Sequence, residues 1–260
     1  MMVRSHSVAT SAGAVKVVTG GNGPPVVLLH GTGHSHQEFA RCLPSLAKDF
    51  TVVAWDMPGH GASAHVDATL SIDERAEVLA EILGTINLSQ ALIVGASIGA
   101  FIAVALTKNH SQQVRGLLLS EMQLRTREWW ISAKPQIEAM FSTAAQSRET
   151  VEARLQTPLG DDLLEQWNAD RIAAGPVSMM AAMDAIRDYD LTLSLSQISV
   201  PTRALFGNYG PALASSDALS SIMPSARIEI VEYAGHFISI DCPDAFVEAI
   251  RSLHQETDKS

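Results

Sequence analysis

Two residues of this 260-residue chain stand where a nucleophile and its base would be needed. Ser97 is at the centre of "GASIG" (Gly95–Gly99), directly after the apolar run "ALIV" and directly before "IGAFIAVAL". G-x-S-x-G between a strand and a helix puts the serine at the tip of a sharp turn, and the flanking glycines let strand and helix pack closely. Such a turn holds Oγ away from the backbone, over the positive end of the following helix. His236 stands in "EYAGHFISID" (Glu232–Asp241), a loop of small residues after the last apolar run and before a terminal helical segment. Of nine histidines it is the one that follows Ser97 in a strand-end loop, since His110 and His254 fall on or beside helices. A histidine so placed can take the serine's proton as general base.

Acyl transfer also needs backbone N–H donors aimed at the developing oxyanion. "HGTG" (His30–Gly33) closes an earlier buried run, so the N–H groups of Thr32 and of Ile98, the residue after Ser97, form the natural pair, with Gly31 beside them on the substrate side. His30 reads as a residue that shapes this loop.

The elements that must hold these groups follow from periodicity. Short runs rich in Val, Ile and Leu recur: Val26–His30, Thr51–Trp55, Ala91–Gly95, Val114–Glu121, Thr202–Gly207 and Arg227–Glu232. They read as strands buried on both faces. Ile72–Ile86, Ile98–Asn109 and Pro243–Glu256 have helical period, and Ala14–Pro25 reads as a strand turning into the first buried one. The alternation predicts an α/β fold with a mostly parallel central sheet flanked by helices. It fails between Gln123 and Ser196, which is rich in helix formers, Trp and Met. This gives a core of residues 1–122 and 197–260 and a helical cap of residues 123–196 inserted between two strands. Trp129, Trp130, Trp167 and Met183 of the cap are candidate substrate contacts, implying a mainly apolar, aromatic-tolerant site. No Arg or Lys cluster stands out as a clamp for a charged substrate.

In order and spacing, "HGTG", "DMPGHGAS" (Asp56–Ser63), "GASIG" and "AGHF" resemble the α/β-hydrolase family nearly end to end. The resemblance implies serine-type hydrolysis without a cofactor, and gives Asp56 and His60 an architectural rather than a chemical role. Commoner members carry the triad acid in a G-x-x-D-P loop, but this chain has Gly207-Asn208-Tyr209-Gly210-Pro211 there. A base that becomes imidazolium needs a carboxylate, whose loss costs on the order of 10⁴ in rate. Glu121 closes the run "RGLLLSE", at the kind of strand end where functional groups collect in open α/β sheets. Asp217 lies beyond the later strand. Glu121 is favoured, because some α/β-hydrolases carry the acid after the earlier strand. Among them are hydrolases of resorcylic lactones such as zearalenone, which this chain resembles in its "DMPG" loop, its serine and its Glu. Certain haloalkane dehalogenases share the placement, but their chemistry would need an aspartate at Ser97.

The expected reaction is hydrolysis of a carboxylic ester, with a lactone favoured, by Ser97, His236 and Glu121 through an acyl-enzyme. Carbon–carbon bond hydrolysis and acyl transfer share the frame, and a slow-turnover ligand receptor is the alternative outside enzymes. The "HGTGHSH" histidines match no metallohydrolase spacing, so no metal is expected. With 18 basic and 28 acidic residues the formal net charge is −10, which repels nucleic acid and anionic lipid. No stretch approaches the apolar length of a membrane span. Two cysteines make no disulfide framework, which fits a cytoplasmic protein. The expected partner is a small-molecule ester or lactone, with a homodimer left open.

Overall fold

The computed structural model describes residues 4–65 and 69–258; residues 1–3, 66–68 and 259–260, counted in the expected core, lie outside them. The strands are β1 (Arg4–Thr10), β2 (Gly13–Gly20), β3 (Pro25–Leu29), β4 (Thr51–Trp55), β5 (Ala91–Ala96), β6 (Val114–Ser120), β7 (Thr202–Gly207) and β8 (Arg227–Val231). They form one sheet in the order β1-β2-β4-β3-β5-β6-β7-β8. β1–β2 and β2–β4 pair antiparallel and every later pair is parallel. Around the sheet lie α1 (Leu43–Leu46), α2 (Ile72–Thr85), α3 (Ile98–Asn109), α9 (Ser216–Ile222), α10 (Ile238–Asp241) and α11 (Pro243–Thr257). Between β6 and β7 come α4 (Arg127–Ser132), α5 (Lys134–Phe141), α6 (Arg148–Glu152), α7 (Asp161–Asp188) and α8 (Leu191–Leu195), with no strand among the described residues.

The two-residue period of the strands builds two cores. Val27, Leu29, Val53, Trp55, Ile93 and Leu119 point to one face, beneath α2 and α3. Val26, Leu28, Val52, Leu92, Val94 and Leu118 point to the other, beneath α11. Side chains on both faces are therefore removed from water, each contributing roughly 1.5–3 kcal/mol of burial. This is why these strands read as continuous apolar runs. β1 escaped the sequence reading because it is an edge strand with only Val8 buried, and "RSHSVAT" carries no apolar alternation.

α2 begins with a capping box, in which Ser71 accepts from the Glu74 N–H and the Glu74 carboxylate accepts from the Ser71 N–H. α7 is broken at Gly175, whose φ of 71° no helix tolerates, just before Pro176. The half after the break brings Met179 and Met183 onto the "HGTG" loop: Thr32 Oγ1 donates to Met183 Sδ at 3.9 Å. No helix among the described residues is long and apolar enough to cross a membrane.

Candidate active site

Ser97 follows β5 and precedes α3 with φ 54° and ψ −119°, a left-handed backbone that L-residues rarely adopt. The glycines around it answer to specific contacts. A Cβ on Gly95 would fall on the backbone of Gly99 and Ala100, and one on Gly99 would fall on the carbonyl of Leu29. The turn is fastened to the neighbouring strand, where the Ser97 N–H donates to the Ser120 carbonyl at 2.9 Å. Beside it, Gly31 comes so close that an added Cβ would lie 3.4 Å from Ser97 Cβ. The N–H groups of Thr32 and Ile98 donate to no group among the described residues. Ile98 opens α3, where a free N–H is expected.

Glu121, one residue past β6, is 1% exposed and also has positive φ, 50°. Its N–H donates to Leu205 O across to β7 at 2.9 Å. Its carboxylate accepts from the N–H of Gly207 at 2.8 Å, the N–H of Ala212 at 3.3 Å and His236 Nδ1 at 3.3 Å. A carboxylate only accepts, so Nδ1 carries the proton and Nε2 is left as an acceptor. The structure thus brings together His236 and Glu121, residues far apart in the chain. Asp217 is exposed on α9.

Ser97 and His236 line one cavity of about 660 Å³, roofed by the helices between β6 and β7. Gly31, Thr32, Trp129, Trp130 and Met183 line it as the sequence suggested. Trp167 does not, and that expectation is corrected. It is 2% exposed, packed among Val151, Leu155 and Phe237, with its indole N–H donated to Gln146 Oε1 at 3.0 Å. Its large ring serves the packing of the inserted helices against the core. Although no Arg or Lys cluster stands out in the sequence, Arg125 and Arg154 both line the cavity, and no Asp or Glu does among the described residues. Arg125 lies just before α4 and Arg154 just after α6, and nothing in the local sequence separates them from Arg127 and Arg148 on those helices.

The other histidines of the early loop are structurally engaged. His34 is wedged edge-on against Trp167 and Phe237, and burial holds its pKa well below the ordinary value. His36 donates Nδ1–H to Asp56 Oδ1 at 2.7 Å. Burial alone would push the Asp56 carboxyl up, but His36, the charge of His30 and the N–H groups of Ala62 and His36 hold it at about 2. Glu38, passed over in the sequence, is buried beneath the same loop, and its Oε2 accepts from the Gly31 N–H at 2.8 Å. Burial pushes its carboxyl up to about 7 against the lowering effect of that hydrogen bond.

The arrangement sets the Ser97 hydroxyl and a histidine tied to a buried carboxylate on one cavity, with the undonated N–H groups of Thr32 and Ile98 close to Ser97 in the chain or in space. The pattern described for the Alpha/beta hydrolase family matches residues 26–249. The chain is 29% identical over 252 residues to the pimeloyl-[acyl-carrier protein] methyl ester esterase of Aeromonas hydrophila, a match covering 91% of this chain and 98% of that one. It is 30% identical over 255 residues to the enzyme of the same name from Chromobacterium violaceum, covering 93% and 98%. The enol-lactonase from Burkholderia xenovorans LB400 superposes with a TM-score of 0.82 at 21% identity, covering 96% of this chain and all of that one.

Proposed function

Because the chain belongs to the alpha/beta hydrolase family, we propose that it is a serine hydrolase cleaving a carboxylic ester, open-chain or cyclic, of a small molecule. The observation that carries this reading is the buried Glu121 carboxylate on Nδ1 of His236, with His236 and Ser97 on one cavity. Two curated relatives named as methyl ester esterases support ester chemistry. Residues 123–196 act as a cap over a core of residues 1–122 and 197–260. Within esters, an acid placed after β6, as in the lactone hydrolases that the sequence resembles, favours a lactone.

Ser97 Oγ attacks the carbonyl carbon while its proton passes to Nε2 of His236. The carbonyl electron pair moves onto oxygen, where the N–H groups of Thr32 and Ile98 hold it. Glu121 keeps the ring oriented and balances the imidazolium. The tetrahedral adduct collapses, the ester C–O bond breaks, and the departing oxygen takes the proton from His236. In a lactone that oxygen stays tethered as the hydroxyl end of the acyl chain. Water then gives a proton to His236, attacks the acyl-enzyme, and Ser97 leaves with that proton restored. An acid and an alcohol result, and no cofactor enters.

The test is initial hydrolysis rates on aryl esters and on small and macrocyclic lactones for the wild type, Ser97→Ala, Glu121→Ala and Asp217→Ala, each checked for folding. Ser97→Ala and Glu121→Ala should each lose on the order of 10⁴ or more in kcat, with Asp217→Ala near wild type. Turnover that survives Ser97→Ala would sink the serine reading. A dead Asp217→Ala would move the acid to the later strand.

A further inference from the structure

The chain carries a net charge of −10, yet the cavity beside Ser97 is lined by two arginines and, among the described residues, by no acid. The two differ in how they are held. Arg125 donates Nη2 to the Pro211 carbonyl at 3.2 Å and lies over the Trp129 ring, 5.1 Å from its centre. The Arg154 guanidinium makes no hydrogen bond or ion pair among the described residues, and its Nη1 is buried without a partner. Its guanidinium is stacked 5.1 Å from the Trp167 ring centre and 5.0 Å from that of Phe237, the residue next to His236. By contrast, the buried Arg171 donates to the carbonyls of Met140, Thr143 and Ala144.

A cation drawn from water without an anion is unfavourable unless something supplies the counter-charge. Burial lowers the Arg154 pKa to about 10, which leaves it charged at neutral pH. The acid that its charge reaches is Glu38, which is beyond ion-pairing distance and holds the Gly31 N–H. The position of Arg154 is fixed relative to the reacting groups. Asp241 accepts from the N–H groups of Gln156 and Thr157 and from that of Gly235, binding the Arg154 segment to the His236 loop.

We propose that Arg154 binds a carboxylate of the substrate, so that the ester turned over carries a free carboxylate at a set distance from the bond that is cleaved. Arg125, which lines the same cavity, adds to the positive field there. A planar guanidinium with open donors matches a carboxylate in a two-point fork. This rests on the serine-hydrolase reading and narrows its substrate to an anionic ester or lactone.

The experiment compares kcat/KM for monomethyl and dimethyl adipate in wild type, Arg154→Gln and Arg154→Lys. Calorimetric binding of adipate and of inorganic phosphate is measured on Ser97→Ala and on Ser97→Ala/Arg154→Gln. Wild type should prefer the half-ester at least tenfold, Arg154→Gln should erase that preference, and Arg154→Lys should restore part of it. Adipate should bind Ser97→Ala and lose at least tenfold in affinity with Arg154→Gln. Equal losses on both esters in Arg154→Gln, or no half-ester preference in wild type, would overturn the proposal. So would phosphate that binds as tightly as adipate. If no ester is cleaved but adipate binding depends on Arg154, the hydrolase reading fails and the carboxylate site stands.

Discussion

The carboxylate of Glu121 lies where a side chain at position 210 would begin. A Cβ built on Gly210 falls on Oε1, Cδ and Oε2 of Glu121. An acid delivered from the end of β6 and one delivered from the loop after β7 therefore exclude each other, and the glycine in the expected aspartate slot keeps that space open. With both present, in Gly210→Asp, two carboxylates meet in one buried volume, and kcat on p-nitrophenyl acetate should fall at least 10³-fold, approaching the roughly 10⁴ expected for losing the acid altogether. Glu121→Gly suits the positive φ of that position. Combined with Gly210→Asp, it should recover at least tenfold over Glu121→Gly alone. A fully active Gly210→Asp single variant would refute the exclusion.

Gly99 packs against the Leu29 carbonyl, which is backbone and cannot swing aside. Gly99→Ala should cost about 3 kcal/mol in urea unfolding. Gly84, inside α2 with nothing within 4 Å of an added Cβ, is the control. Gly84→Ala should gain roughly 0.5–1 kcal/mol. Similar effects at the two sites would remove close packing as the reason for Gly99.

Glu38 sets a pH dependence of stability. Its folded pKa of about 7 stands above the ordinary 4.5, so the fold favours the protonated form. That contribution is fully present below about pH 4.5 and is lost as pH rises through 7. Wild type measured against Glu38→Gln should lose about 3 kcal/mol between pH 4.5 and pH 8. Asp170, also pushed up by burial, to about 6, is present in both proteins, and its charge helps to raise Glu38, so the difference reads Glu38 together with that coupling. A difference that stays flat across this range would show that Glu38 is not held neutral.

Trp129 and Trp130 are adjacent, with ring centres 4.9 Å apart and edge-on, yet they serve different ends. Both line the cavity, but Trp130 is 6% exposed and joins the core cluster, whereas Trp129 is 39% exposed. Trp130→Ala should cost about 3–5 kcal/mol of stability. Trp129→Ala should cost less than about 1 kcal/mol and act mainly on KM. Thermal unfolding and steady-state kinetics on the same two variants separate them.

Much of this was legible because buried parallel strands leave unbroken apolar runs and because the elbow needs glycine at fixed offsets. "TVVAW" and "TRALFG" were bounded to the residue for that reason. Glu121 could be singled out because a carboxylate closing three leucines is out of place in a core. Trp167 misled because helical spacing does not say which face meets a cavity and which meets the core. Arg154 was invisible because its neighbours, Phe237 and Trp167, come together only when the inserted helices fold onto the His236 loop. The edge strand β1 left no signal, since its side chains face water along nearly all its length.

Taking the acid from the end of β6 also changes what the loop after β7 is free to become. Tyr209 and Pro211 face the cavity from that loop, while its backbone, through the N–H groups of Gly207 and Ala212, is all that the carboxylate asks of it. Apart from the small residues required at 207, 210 and 212, descendants of this chain can exchange the loop's side chains, those of Tyr209 and Pro211 first, and alter which molecules enter while the reacting groups stay untouched. Selection for new substrates would thus find in this loop a stretch where mutations accumulate without first disabling the enzyme.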